Sequence, residues 1–544
     1  MAAVGDDEIL RQQQRERVLQ EQLNKKPDVR LEAPSAAEAI EHLPKNETPC
    51  FVINQIVLVG DAAEKFTWAL NAANLKDDPA IGQCLGAQGI NIVIKRIQNA
   101  IIARGFVTTR VLAAPQDLNR GILTLTLVPG RIHAIRFTPD TSRRATSWNA
   151  VPAKSGDILN LRDIEQALEN FKQIPTADAD IQITPAEGDN VRPGESDLVI
   201  SWKQRIPPFR ISLSADDAGV KTTGRDQGSI TFSGDDLLML NDLFYVSLNH
   251  DLGNGSTNQH GTNGHTLHYS LPIGYWQFGF NDSQYNFHQT IAGINQTFLS
   301  SGESHNSDIR LSRVVWRDAT RKITLGTRGW LTTSKSFIDD TEIEVQRRRT
   351  AGWQLDAGDR EFIGNATLEV NVAYKRGTGA LDALTAPEEA SGTGTSRLKL
   401  FLADSQLNLP FTLGNQRLRY ILAARAQWND TPLVPQDRFA IGGRYSVRGF
   451  DGEQLLSADR GWLVRNDFGF TLGSSELYLG VDYGEVGGQS SVLLPGKQLA
   501  GAVLGLRGGY KDISYDVFAG QPIHKPDGFT TAHTTTGFNL GWTY

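Results

Sequence analysis

The stretch Ile441–Gly452, IGGRYSVRGFDG, gathers residues suited to a polar interior. Its four glycines argue against an ordinary lipid-facing strand, because glycine weakens strand interiors and marks bends or close backbone approach. Arg444 and Arg448 would be costly against lipid, so they must point to water, to protein or into a lumen. A solvated outer loop is the plain alternative. Further along, Leu477, Leu479, Val481 and Tyr483 alternate with Tyr478, Gly480, Asp482 and Gly484. If the first set faces lipid, the two-residue period turns the second set inward. Asp482 is then a carboxylate on a lumen wall, flanked by two small residues that let another segment approach, and Arg448 is a candidate partner.

Bond-making chemistry has no comparable foothold. The chain holds no G-x-S-x-G elbow, no G-x-x-x-x-G-K-[ST] phosphate loop and no H-E-x-x-H pair. His250, His260, His265 and His268 cluster mildly, a pattern read as solvated loop histidines rather than metal ligands. Neither metal nor cofactor is expected, and the chain is read as not an enzyme. Cys50 and Cys84 are the only cysteines, and no Cys or His cluster supplies the further ligands a metal would need. A disulfide in an oxidising compartment and a pair of buried free thiols both fit. The disulfide would contribute about 3–4 kcal/mol.

These residues must be positioned by a chain of 544 residues, room for three or four units at about 150 residues each. With 40% hydrophobic and 21% charged residues it is neither wholly disordered nor a helical membrane protein. No uncharged apolar run approaches the roughly 18 residues that a spanning helix needs, which excludes helical transporters and channels. The 53 Gly, 10 Trp, 12 Tyr and 23 Phe fit an all-β protein or a transmembrane barrel, whose apolar residues are diluted by alternation. A net charge of -7 gives no overall cationic field, so no nucleic-acid partner is expected. No basic segment followed by an apolar stretch opens the chain, so no signal peptide is visible; a mature form behind an added Met1-Ala2 accounts for this.

Residues 6–24 favour a helix with Asp6, Asp7 and Glu8 first, where the helix dipole favours acids. Its apolar set, Ile9, Leu10, Val18, Leu19 and Leu23, is too thin to bury a face, so it belongs in water-filled surroundings or is not stably folded. Residues 25–48, with Pro27, Pro34 and Pro44, form an extended linker. Two α/β units follow, at 49–130 and 131–207. The first reads as a strand at Phe51–Gly60, a short helix at Glu64–Ala73, and a helix at Gly89–Arg104 carrying Ile90, Ile94, Ile97 and Ile101. A strand with Leu123, Leu125 and Leu127 follows, giving the order β-α-α-β-β. The second unit repeats it with Ile132–Phe137, a helix bearing Leu161, Ile164, Leu168 and Phe171, then Asp180–Thr184 and Leu198–Trp202. From 208 to 544 the period switches to two, and stretches such as Glu476–Tyr483 and Leu504–Gly520 exceed ordinary strand length. About 336 residues at about 10 membrane-embedded residues per strand accommodate some 14–18 strands, with polar loops such as Asp251–Gly264 and Gly377–Ser396 between them. Phe538, Leu540, Trp542 and Tyr544 alternate with Asn539, Gly541 and Thr543, as on a lipid-facing last strand. A membrane barrel is the expectation; a sandwich edge strand is the alternative.

Val447, Arg448, Gly449 and Phe450, within RFAIGGRYSVRGFDGE at 438–453, resemble the pore-loop motif of two-partner secretion (TpsB-type) transporters. GVDYG at 480–484, with Gly480, Asp482 and Gly484, resembles the matching barrel-wall motif. PCFVINQIVLVG, CLGAQGINIVI, QNAIIARGFVTTRVLAAPQDL and LTLVPGRI are similar to the first POTRA module of that family. The resemblance spans essentially the whole chain. It implies a plug helix at 6–24, two periplasmic POTRA domains, and a transmembrane antiparallel β-barrel of 16 strands whose pore loop, about 438–461, folds back inside. It also implies an Arg448–Asp482 ion pair anchoring that loop, a Gram-negative outer-membrane location, and assembly by the barrel-assembly machinery reading the C-terminal aromatic strand. The paired cysteines place the chain near the branch that exports haemolysins and contact-dependent-inhibition toxins. Implied partners are outer-membrane lipid and a large β-helical exoprotein, captured by its N-terminal secretion domain and moved without ATP. An assembly factor (insertase) of the same superfamily is the alternative, and its usual larger number of POTRA modules speaks against it. A passive porin or uptake barrel would not need such modules.

Overall fold

A computed structural model describes residues 2–24, 27–31, 42–188, 190–253 and 259–544. Most of the linker around Pro34, and the tip of the loop after Asp251, lie outside the described residues.

The chain opens with helix α1, Ala2–Leu23. It starts earlier than the sequence pattern suggests, so Asp6, Asp7 and Glu8 sit beyond the first turn and the dipole argument for them does not apply. In the first α/β module, β1 (Gln55–Gly60) precedes a 3-10 helix, Ala63–Ala73, then α2 (Ala87–Ala103), β2 (Arg110–Leu112) and β3 (Ile122–Val128). Strand order is β1-β3-β2, with β1 parallel and β2 antiparallel to β3. Two expectations need correction. The stretch Phe51–Gly60 is broken: Phe51–Val52 pairs with Cys84–Leu85, while Gln55–Gly60 joins β3. The face of α2 that is buried carries Gly89, Val93, Ile97 and Ile101, and Ile90 and Ile94 pack only at its margin. Cys50 and Cys84 are joined in a disulfide beside that short pairing. The Glu47 carboxylate accepts hydrogen bonds from the amides of Gly86, Gln88 and Gly89 at the start of α2. Although partial burial pushes upward, these bonds hold its pKa below the usual carboxylate range.

The second module has the same topology: β4 (Arg131–Phe137), α3 (Leu161–Lys172), β5 (Ala177–Pro185) and β6 (Glu195–Gln204), ordered β4-β6-β5. One described helix stands here, since residues 138–160 run as turns and loop. Leu161, Ile164, Leu168 and Phe171 of α3 are buried against Ile181, Leu198, Ile200 and Trp202.

Beyond Pro207–Pro208 sixteen antiparallel strands close into a barrel. They are β7 (Phe209–Asp216), β8 (Gln227–Asp235), β9 (Leu243–Asp251), β10 (His260–Ile273), β11 (Trp276–Ala292), β12 (Thr297–Arg317), β13 (Arg321–Ile338) and β14 (Arg348–Ile363). Next come β15 (Ala366–Thr378), β16 (Lys399–Leu413) and β17 (Gln416–Asn429). A small inward hairpin, β18 (Phe439–Ile441) and β19 (Leu456–Ala458), interrupts the wall, which resumes with β20 (Arg460–Leu472), β21 (Ser475–Gly487), β22 (Gln498–Tyr510), β23 (Ile513–His524) and β24 (Thr535–Thr543). β24 pairs with β7, Leu213 opposite Trp542, which closes the cylinder. Closure removes the free edges that lipid could not hydrogen-bond. The stretch Leu504–Gly520 is not one long strand but the β22–β23 hairpin, with Tyr510 paired to Ile513 across Lys511 and Asp512. The outward residues move from even positions, Leu504 and Tyr510, to odd ones, Ile513 and Val517. That phase slip is the mark of a two-residue turn.

Candidate functional site: a pore loop and a helix inside the barrel

Alternation on β21 determines the wall of the site. Leu477, Leu479 and Val481 face outward with 39%, 52% and 45% of their surface exposed, while Tyr478 and Asp482 are buried at 2% and 1%. Gly480 and Gly484 share the inner face. Onto it the segment between β18 and β19 folds back, seating Val447 and Phe450 in an apolar cluster with Ile441, Leu456, Leu463, Val486, Leu499 and Phe529. Phe450 meets Phe529 edge-on at 5.8 Å.

The wall glycines allow this approach. A Cβ on Gly480 would lie 2.6 Å from Arg448 Nη2, and one on Gly484 2.8 Å from Val447 Cγ2. Gly449 has φ +94°, a backbone conformation that side-chain-bearing residues rarely adopt. It lets the chain turn directly after Arg448 while lying against the backbone of β23.

Arg448 makes the anchoring contacts. Its Nε donates to Asp482 Oδ2 at 2.7 Å, its Nη2 to Asp482 Oδ1 at 2.7 Å, and its own backbone amide to Asp482 Oδ2 at 2.9 Å. Nη2 also donates to Asp467 Oδ1 at 2.6 Å. Both carboxylates are shared onward. Arg507 Nη1 reaches Asp467 Oδ2 at 2.9 Å, and Arg507 and Arg419 both donate to Glu476. A buried charge is tolerated when its partners are close and its donors filled, and here a ladder of alternating charges runs across β17, β20, β21 and β22. Asp467, Glu476, Arg419 and Arg507 are missing from the sequence reading. Their signal was available for Asp467: it alternates with Phe468 and Phe470, the outward residues of β20, exposed at 58% and 39%.

Arg444, the other loop arginine, pairs with Asp217 at 2.8 Å and donates to the Phe538 carbonyl at 2.8 Å, tying the loop to the closing strand β24. On β24, Leu540 and Trp542 are exposed outward and Phe538 is half-buried, and Tyr544, directly after the strand, is exposed as well. The histidines do not converge on a common point: His265 and His268 face opposite sides of β10, and His268 bonds Asn281 and Ser270. Among the described residues no group of three or more His, Cys, Asp or Glu could hold a metal ion.

The remaining lumen holds α1. Arg11 donates to the carbonyls of Gly452 and Glu453, both at 3.1 Å, so the helix rests directly on the pore loop. Arg15 reaches Gln227, Tyr285 donates to Glu8 at 2.8 Å, and Gln436 donates to Asp6 at 2.7 Å. Leu10 packs on Ala440 and Leu455. A helix polar nearly all round is stable here because the inner wall supplies hydrogen-bonding partners on every side.

Comparison with known proteins fits this geometry. Residues 194–508 match the family model described as haemolysin secretion/activation protein ShlB/FhaC/HecB. Residues 51–130 match a POTRA domain of ShlB type, and 131–185 a POTRA domain. The outer membrane transporter CdiB-2 of Burkholderia pseudomallei (strain 1026b) is 38% identical over 533 residues, 94% of this chain and 89% of that protein. The hemolysin transporter protein HpmB of Proteus mirabilis is 23% identical over 418 residues, 75% of this chain and 72% of that protein. The solved structure of CdiB from Acinetobacter baumannii superposes with a TM-score of 0.87 at 30% identity, covering 99% of this chain and 98% of that one. With the folded-back loop, the two α/β modules and the barrel all matched in one order, the chain belongs to the haemolysin secretion/activation (ShlB/FhaC/HecB) family of outer-membrane transporters with POTRA domains.

Proposed function

We propose that this chain is the outer-membrane pore of a two-partner secretion system, exporting one large cognate β-helical exoprotein of the haemolysin, adhesin or contact-dependent-inhibition toxin kind. The two modules at 49–130 and 131–207 stand in the periplasm and capture the unfolded secretion domain of the cargo. The barrel at 208–544 is the conduit, and the chain acts as a conduit rather than as an enzyme. Lipid surrounds the outward apolar band, and the assembly machinery reads Phe538, Leu540, Trp542 and Tyr544 on the last strand.

One observation carries this reading: the lumen is filled by two segments of the same chain that are held very differently. The pore loop is locked by a bidentate, desolvated ion pair at Arg448. α1 is held by dispersed hydrogen bonds and by ion pairs to the wall at 3.5 and 3.6 Å, Arg15–Asp216 and Arg17–Asp404, neither of them bidentate. A single long contact fixes geometry less firmly than the bidentate pair at Arg448. α1 is therefore the plug that leaves, and the anchored loop is the element that stays against the wall. Outside the cell, stepwise folding of the cargo biases movement outward.

The test is export itself. Co-expressed with a cognate large β-helical exoprotein, the chain should bring that protein to the cell surface, and Asp482→Asn should cut surface delivery at least tenfold. Surface delivery independent of the chain would overturn the proposal, as would a general loss of other barrel proteins when it is removed, which is the outcome an insertase gives.

A further inference from the structure

Behind α1, residues 27–31 run between α3 and the periplasmic ends of β12, β13 and β14. Val29 and Leu31 are half-buried while Asp28 and Arg30 are exposed, the alternation of an extended strand. Its partners are side chains rather than another strand. The Val29 amide donates to Glu169 Oε1 at 3.2 Å and the Leu31 amide to Glu165 Oε1 at 2.8 Å. Between them, Arg317 Nη2 donates to the Val29 carbonyl at 2.6 Å. Glu165 and Glu169 lie one turn apart on α3, so their spacing matches alternate amides of an extended chain. Arg317 holds both carboxylates, at 3.0 Å and 2.9 Å, and Lys322 adds to Glu169 at 3.1 Å.

The side chains are read as well. Val29 and Leu31 pack on the apolar core of the second module. The Arg30 guanidinium lies 3.8 Å above the Phe362 ring of β14, and Asp28 faces Arg360 at 3.8 Å. Backbone donors and acceptor are recognised without regard to sequence, and the flanking surface selects an apolar–cationic–apolar triplet.

We propose that this groove is an extended-peptide receptor, filled at rest by the linker, and that a segment of the exported chain with the same apolar–cationic–apolar alternation exchanges for it. The inference rests on the export function proposed above. Exchange frees the linker, and with it the tether of α1, so arrival of cargo at the second module is coupled to unplugging.

The probe is a fluorescein-labelled hexapeptide, PDVRLE, the sequence of residues 27–32. It is titrated against the full chain and against a full-length Val29→Asp/Leu31→Asp variant whose own linker no longer fits. Binding to the variant should be at least tenfold tighter than to the intact chain. N-methylation of the peptide's valine and leucine nitrogens should weaken it at least tenfold, and N-methylation of its arginine should leave it within twofold. Equal binding to both chains, no binding to the variant, or indifference to which nitrogen is methylated would overturn the receptor. In planar bilayers, saturating peptide on the periplasmic side should raise the opening frequency of the intact pore about tenfold, and an unchanged frequency overturns the coupling. Peptide uptake and opening in a chain that exports no exoprotein would support the receptor and overturn the export reading alone.

Discussion

Asp482 accepts three hydrogen bonds from a single residue, Arg448: two from the guanidinium and one from the backbone amide of the same arginine. Side chain and main chain of the pore loop are therefore anchored by one carboxylate. Losing either partner strands a buried charge, which costs about 3–5 kcal/mol.

Arg448→Asp and Asp482→Arg should each cut secretion at least tenfold, and their combination should recover part of it. Recovery stays partial because Asp467, 2.6 Å from Arg448 Nη2, would face the new carboxylate. Adding Asp467→Asn to the swap should improve it further. Strictly additive losses in a quantitative secretion assay would contradict the pairing.

Gly480→Ala should unseat the loop without unfolding the barrel, because the added methyl collides with Arg448 and Val503 while the strand itself tolerates alanine. Greater uptake of a bulky antibiotic and faster proteolysis within 438–461 are the readouts. Gly329→Ala, on a strand where an added Cβ meets no atom within 4 Å, is the neutral control.

Deleting residues 1–27 should raise single-channel conductance in planar bilayers, since α1 occupies the lumen against the loop at Gly452 and Glu453. An unchanged conductance would remove the plug assignment. Arg11→Ala should give a smaller increase in opening frequency, because it removes the two bonds to the loop and one to Glu8 within the helix while the other wall contacts stay.

Reduction of Cys50–Cys84 should lower the thermal stability of the first module by about 3–4 kcal/mol, the loop-closure value for this separation. Barrel melting should be unaffected, as the two cysteines lie in the module alone. Two free thiols in protein purified under oxidising conditions would count against the staple.

Docking of the second module on the barrel should weaken in acid. Burial alone would raise the pKa of Glu169, but the hydrogen bond from Arg317 and the charges of Lys322 and Arg317 hold it below the usual carboxylate value of 4.5. A carboxylate whose pKa is depressed by docking stabilises the docked state above its free pKa. That contribution is lost as pH falls through the depressed value. Crosslinking between α3 and the β12–β13 turn should persist from pH 7 to about 5 and decline below about 4.5. Glu169→Gln should flatten that dependence.

Much of the architecture was legible along the chain because period two and period three to four are local properties. The inward set Tyr478, Gly480, Asp482 and Gly484 follows from the outward set on the same strand. The repeat of the two modules was visible too, although the first of its two helices has no counterpart in the 138–160 stretch, where turns stand instead. The branch of the family near contact-dependent-inhibition transporters was suggested by the paired cysteines of the first module, Cys50 and Cys84.

What lay out of reach depended on contacts between residues far apart in sequence. Arg507 and Arg419 join the charge ladder only because β22 and β17 lie across the same wall from Asp467 and Glu476. The α2 stripe turned by one residue because Phe66 and the β3 leucines set which side faces the core. The linker at Val29–Leu31 carries no periodic signal in three residues, so its extended register emerges only from Glu165, Glu169 and Arg317. Alternation, glycine placement and the absence of nucleotide and metal motifs are written in the sequence, since each is a property of neighbouring residues. Which charges meet in the lumen, what α1 leans on and where the linker is gripped were decided by barrel closure, which brings strands hundreds of residues apart to within hydrogen-bonding distance.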